Sequence, residues 1–238
     1  MTPNTGFGWI LGAAIVAGLG LFGYQLSNAA VTFKEYERSV TVKGLAEREY
    51  QADIVIWPLQ FTVADNQLES LYQTLESNTH KIREFLVDAG IEKSAISYST
   101  PIITDKSAQQ YGGDMPVKYR YTASQTVTVY TDKINNVRAV MNNISQLGKQ
   151  GIVFSGDYYQ AQTEYLFTRL NEVKPEMIEE ATKKAREVAE KFAKDSDSQL
   201  GKIKRASQGQ FTIGHRDKNN PHIKKIRVVS TVTYYLSD

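Results

Sequence analysis

The sequence predicts an α+β protein: an N-terminal transmembrane helix, then a body of mixed, mainly antiparallel sheet carrying about three amphipathic helices. Three observations predict it. Gly6 to Leu26 carries no charge. Alternating segments rich in β-branched and aromatic residues recur from residue 37 onward. Between them, apolar residues return at helical spacing over 68–89, over 134–148 and from Pro175.

The opening segment comes first. At about 1.5 Å per residue, a helix over 6–26 spans roughly the 30 Å hydrocarbon core of a bilayer. Trp9 and Tyr24 fit the two interfacial aromatic positions. Gly8 and Gly12 form a G-x-x-x-G pair, and Ala14 and Gly18 repeat that spacing, a face on which helices pack closely. Residues 1–30 are therefore expected to be a membrane anchor and linker, with lipid as the partner of 6–26 and 31–238 as the body. The alternative is cleavage near Ala29, which releases a soluble body. Against it, the opening MTPNT has no basic residue and the apolar run exceeds a signal peptide's core. Lys34, Arg38, Lys43 and Arg48 follow the segment and would hold the body in the cytoplasm, but Glu35, Glu37, Glu47 and Glu49 interleave with them. Charge leaves the orientation open.

Composition narrows the chemistry. The 238 residues carry a net charge of +2 and no cysteine. No global field calls for an acidic partner. Disulfides, thiol catalysis and cysteine zinc sites are excluded.

The body then follows in order. Residues 27–36 read as a linker and 37–50 as a first strand. Asp53 to Val63 is a stronger strand, with Pro58 implying a bulge or an edge. The helix over 68–89 has Asn66 and Glu69 spaced as a capping box and Gly90 as its stop. Ile96–Thr104 and the long Val117–Tyr130 are strands around a loop at 105–116. A second helix over 134–148 leads to a strand at 152–154 and a β-type stretch at 158–168. Pro175 suits the first turn of a third helix, whose stripe is Ile178, Ala181, Ala185, Val188, Ala189 and Phe192. Lys202–Ile213 and Ile223–Leu236 close the chain as strands. The order strand, helix, strand, strand over 53–130 returns over 158–236, the pattern of an internal duplication whose halves would share one extended sheet.

Several pieces carry a resemblance. Val40-Thr41-Val42-Lys43-Gly44, Ala52-Asp53-Ile54, Asn78, Ala89-Gly90-Ile91 through Ile96, Tyr119 to Ser124 with Val127 and Val129, Ile152 to Ser155, and Leu200-Gly201-Lys202-Ile203 stand in the order found in the SIMPL-domain family. Residues 38–236 resemble its bacterial oxidative-stress-defence and periplasmic immunogenic members. Ala46, Ala52 and Ala95 depart from the family's glycine, proline and aspartate. The resemblance implies an α+β body outside the cytoplasm, assembly into rings or hollow oligomers, a stress-protection role and no established catalytic residues. It turns the orientation towards a periplasmic body on the inner membrane.

The search for chemistry yields little. His80 lies mid-helix with no ligand partner at metal spacing. His215 and His222 flank a polar loop with Asp217 that could gather an ion, though a solvated turn reads better. Asp53 sits in an otherwise apolar strand, where burial would make it an acid and bonding to the local backbone, the better reading, would make it structural. Half of the 28 Lys and Arg lie between Lys174 and Arg227. The acid–base spacing on the third helix, Glu179–Lys183, Glu180–Lys184, Glu187–Lys191 and Glu190–Lys194, reads as a solvated face. Lys202, Lys204, Arg205, Lys224, Lys225 and Arg227 remain as a strand-borne patch, without the interleaved aromatics of single-strand binders. No phosphate loop, dinucleotide fingerprint, zinc-protease or nucleophile-elbow motif is present. The expectation is therefore a self-assembling envelope protein, not an enzyme, with no catalytic, cofactor or metal residues and no nucleic-acid partner. Its assembly surfaces would be the strands 117–130 and 223–236 and the loop 105–116. The alternatives are a periplasmic ligand- or partner-binding module, and an enzyme using Asp53 or the His215/His222 loop.

Overall fold

The computed structural model describes residues 5–36, 38–108, 118–155 and 162–237, without the side chains of 5–8, 10 and 30–36. The chain divides into two compact units. One comprises 1–47, 173–212 and 227–238; the other comprises 48–172 and 213–226.

The predicted transmembrane helix is overturned. Helix α1 runs Thr5–Tyr36 and absorbs the expected linker. Among the described residues, however, no helix is long and apolar enough to cross a membrane. Between Leu11 and Ala29, glycine and alanine dilute the larger apolar side chains, and Gln25, Ser27 and Asn28 end the apolar run.

β1 (Ser39–Gln51), β10 (Ile223–Ser237) and β8 (Gln199–Gln208) form a sheet in the order β1-β10-β8, most of it in the first unit, and β9 (Thr212–His215), which from Ile213 on falls in the second, also pairs β10. The predicted strand 202–213 is thus two pieces. Gly209, between them, donates its N–H to Val229 O at 2.8 Å. Helix α5 (Leu170–Asp195) packs here. Its buried residues are Met177, Ala181, Ala185, Ala189 and Ala193, a stripe at i+4 spacing. Val188 and Phe192, expected in that stripe, are exposed. Alanine lets the helix lie close enough for backbone to meet backbone. A Cβ on Gly44 would run into Ala181 O and stand 2.5 Å from Ala185 N. The helix also begins five residues before Pro175, not at it. The proline removes one N–H near the first turns.

The second unit is built on β2 (Ile54–Asp65) and β5 (Tyr121–Thr131), paired antiparallel from Val55↔Thr131 to Asp65↔Tyr121. Pro58 faces Thr128 with no slip of register, so the expected bulge is absent. On the other side of β2, β7 (Glu164–Leu166) pairs Ile54–Ile56 and β6 (Val153–Phe154) pairs Phe61–Thr62. Pro58 falls between the two, where a missing donor breaks no described ladder bond. The predicted strand 96–104 is two pieces, β3 (Ile96–Tyr98) and β4 (Ile102–Asp105), both on the outer side of β5. The described residues form two sheets, not one extended sheet.

Alternation puts Val55, Trp57, Leu59 and Phe61 of β2 on the core face with Ala123, Val127 and Val129 of β5. Helix α2 (Leu68–Asp88) covers them with Leu71, Leu75, Ile82 and Leu86. The predicted helix 134–148 is α3 (Ile134–Met141) and α4 (Ser145–Lys149), broken at Asn142-Asn143, and adds Val137, Val140 and Leu147. Asp65, not Asn66, holds the start of α2, its carboxylate accepting the Gln67 N–H at 2.9 Å and the Ser70 hydroxyl at 2.7 Å. Asn66 accepts the Arg120 N–H instead. Gly90 closes α2 at φ +84°, as expected. Residues 109–117 of the predicted loop and strand, and 158–161 of the β-type stretch, lie outside the described residues.

The α5 contact makes Gly44 the least replaceable backbone position in the first unit. Gly44→Ala is expected to lower unfolding stability by about 2 kcal/mol or more, the range of overpacking, read as a drop in the urea midpoint.

Candidate functional site

Asp53 stands just before β2, its side chain 16% exposed. Its two carboxylate oxygens accept the Thr168 N–H at 3.0 and 2.9 Å, and Oδ2 accepts the Thr168 hydroxyl at 3.1 Å. The N–H and Nε of Arg169 both reach Oδ2 at 3.3 Å. These donors immediately precede α5, so the carboxylate meets the positive end of that helix. The backbone it bonds is distant in sequence, where a local bond was expected. Asp53 is a tether between the start of β2 and the start of α5.

The loop after β9 is held by Asp217. Its carboxylate accepts the N–H groups of Asn219 and Asn220 at 2.9 Å, the Asn220 amide and the Arg216 guanidinium. The Arg216 contact first, then these amides, hold its carboxyl down at about 2. His215 Nδ1 lies 2.9 Å from Lys224 Nζ and 3.1 Å from Pro221 O. The two contacts need opposite states of that nitrogen, acceptor for the ammonium and donor for the carbonyl. His222 is buried against the edge of Tyr165, and its backbone O accepts the Ala52 N–H at 2.8 Å. Burial, then Arg138 and Arg216, push its imidazole below the usual 6.5. His215, Asp217 and His222 are thus turned to separate tasks. Among the described residues no group of three or more His, Asp and Glu is placed to hold a metal ion.

His80 has a carboxylate on its own face, which the sequence reading missed. Nε2 lies 2.9 Å from Glu84, and Nδ1 lies 3.2 Å from Arg83. This face borders a groove of about 420 Å³ lined by Tyr72, Glu76 and Arg83 of α2 and by Tyr98 and Pro101. Its floor is Gln125, a buried amide that accepts the Thr79 hydroxyl and donates to Ser99 O, both at 2.9 Å. Gln125 was legible in principle as the one polar residue on the inward register Ala123, Val127, Val129.

The basic patch comes apart. Lys224 is buried, and burial pushes its ammonium below the usual 10.5. Lys202, Lys204 and Arg205 are exposed on β8. On α5, Glu180–Lys184 closes at 2.6 Å, and Arg186 reaches Glu190 at 2.9 Å. The expected assembly strands are also corrected. β5 and β10 are interior strands, each paired on both sides, whereas β8 is an edge among the described residues. Along α1, Trp9 and Tyr24 are 83% and 67% exposed. Ala14 is exposed, and nothing stands within 4 Å of a Cβ placed on Gly12 or Gly18. The surroundings of Gly8 lie outside the described side chains.

Two outcomes follow from this geometry. Asp53→Ala is expected to lower stability by about 1–2 kcal/mol, the loss of a helix cap, in urea unfolding. His222 is expected to titrate below 6.5 by ring-proton NMR. Its contribution to stability is whole above 6.5 and falls as acid protonates the unfolded imidazole first.

A sequence model of the SIMPL family, described as a protein of unknown function (DUF541), matches residues 40–233. No curated protein matches the chain. The match runs from β1 to β10 and takes in both units, so the chain belongs to the SIMPL family.

Proposed function

We propose that this SIMPL protein is a non-enzymatic, self-assembling envelope protein whose copies gather through α1. One observation carries the reading. Leu11, Ile15, Val16, Leu19, Leu21, Phe22 and Leu26 are each more than half exposed along a single helix. An apolar surface of this extent marks an association site, because covering it removes apolar area from water at roughly 25 cal/mol per Å². Ala14 and Gly18, four residues apart, and Gly12 on another side of the helix leave low places where a second copy comes close. A closed ring or cage satisfies every copy equally. The absence of enzymatic chemistry is supported by Asp53, His215 and Asp217, whose polar atoms serve structural bonds. Periplasmic residence and a part in stress protection enter the proposal from the family resemblance alone.

Light scattering on the full chain tests it. The expected result is a discrete multimer that falls to a lower mass when Gly12→Leu and Gly18→Leu are combined. A monomeric full chain overturns the proposal.

A further inference from the structure

A second groove, in the first unit, lies between α5 and the edge strand β8. It measures about 880 Å³, roughly twice the groove beside α2. Pro175, Ile178 and Thr182 of α5 and Leu200 and Ile203 of β8 line it, with the buried Tyr234 beneath. Lys183 and Lys202 stand on its rim, exposed and without an ion-pair partner among the described residues.

The groove exists because β8 is irregular there. Its register with β10 slips between Thr233 and Tyr234 and again between Tyr234 and Leu236. Gly201, Lys202 and Lys204 have no partner directly opposite, and the first two of them line the groove. Such bulges re-aim side chains beside sites. Every β8 residue except Leu200 is exposed, so neither face of the strand from Gly201 onward is covered.

Beyond the bulges the pairing is regular. Gly209 donates to Val229 O, so Ser207 and Arg205 also turn their backbone groups to β10. Ala206 and Gln208 turn theirs outward, along an open sheet edge.

We propose that β8 and the α5 groove together bind an acidic, extended peptide segment of a partner protein, which adds to the sheet as a further strand. Strand addition draws affinity from main-chain bonds and specificity from pockets for alternate side chains. The apolar floor takes those side chains. β8 carries Lys202, Lys204 and Arg205 and no acid; on the α5 wall Lys183 and Arg186, the latter paired with Glu190, stand beside one acid, Glu179, so cations outnumber acids around the groove. Lysines on an open edge ordinarily keep other strands off. Beside an apolar floor they refuse a basic strand and admit an acidic one. The same charges disfavour β8 of a second copy, which would set cations against cations. From Pro175 to Arg186 the helix wall is about 16 Å long, the reach of about five extended residues.

The test uses the full chain and a fluorescein-labelled peptide of eight alternating leucine and glutamate residues, followed by anisotropy at about 0.15 M salt. Saturable binding is expected, weakened about tenfold or more by Lys183→Glu with Lys202→Glu, and weakened likewise by Ala206→Pro, which removes an outward N–H and no bond to β10. The lysine analogue of the peptide is expected not to compete. Absence of saturable binding, equal binding of the lysine analogue, or indifference to Ala206→Pro overturns the proposal. So does a fall in particle mass in the Lys183→Glu/Lys202→Glu chain, which would give the groove to a second copy. Loss of peptide binding at unchanged mass leaves the assembly through α1 standing.

Discussion

The first unit depends on one steric fact: the backbone of β1 touches the backbone of α5. That contact needs glycine at 44 and alanine at 181 and 185, because any larger side chain holds helix and sheet apart. Helices usually pack on sheets through branched side chains, which give more area per residue. Here the small cluster of Val42, Ala185, Ala189, Val232 and Tyr234 compensates by closeness, since dispersion falls steeply with separation. The alanine stripe fixes where α5 lies across the strands. The flank of α5 left beside it, Ile178 and Thr182, forms the wall of the groove facing β8.

The second unit is organised differently. Its long β2–β5 ladder supplies a continuous apolar face that includes Phe61, and three helices bury large side chains such as Leu71, Ile82, Leu86 and Leu147 against it. Two polar groups there are paired off inside the fold. Gln125 is satisfied by Thr79 and Ser99, and Asp53 by Thr168 and Arg169. Such groups cannot be removed singly without stranding a partner. Their role is to fix which segments meet.

Sequence and structure agree wherever periodicity is strong. The strand at 54–65 and the helix at 68–88 stand within about two residues of expectation, because alternation and the helical period each report one dominant buried face. Agreement weakens where two forces compete at one residue. Pro58 implied a bulge or an edge; the ladder on its β5 side runs through it without a bulge, and on its other side no described strand faces it, as at an edge. Asn66 had the spacing of a cap, but Asp65 lies nearer the open N–H groups. Val188 and Phe192 looked like core by their spacing, but the buried stripe runs through Met177, Ala181, Ala185, Ala189 and Ala193 and leaves them to one side of it. The opening segment lacked charge, yet absence of charge is a weaker property than sustained hydropathy.

What the sequence determined by itself is the order and kind of the elements, the lack of thiol chemistry and the family, all of which depend on local pattern. Tertiary structure alone decided which strands are edges, that Lys224 is buried while Lys202 is exposed, and that Asp53 meets Thr168, 115 residues further on. The reason is physical. Periodicity records which way a side chain points relative to its own element, whereas burial and pairing depend on which other element arrives there, and that is set by packing among residues far apart in sequence.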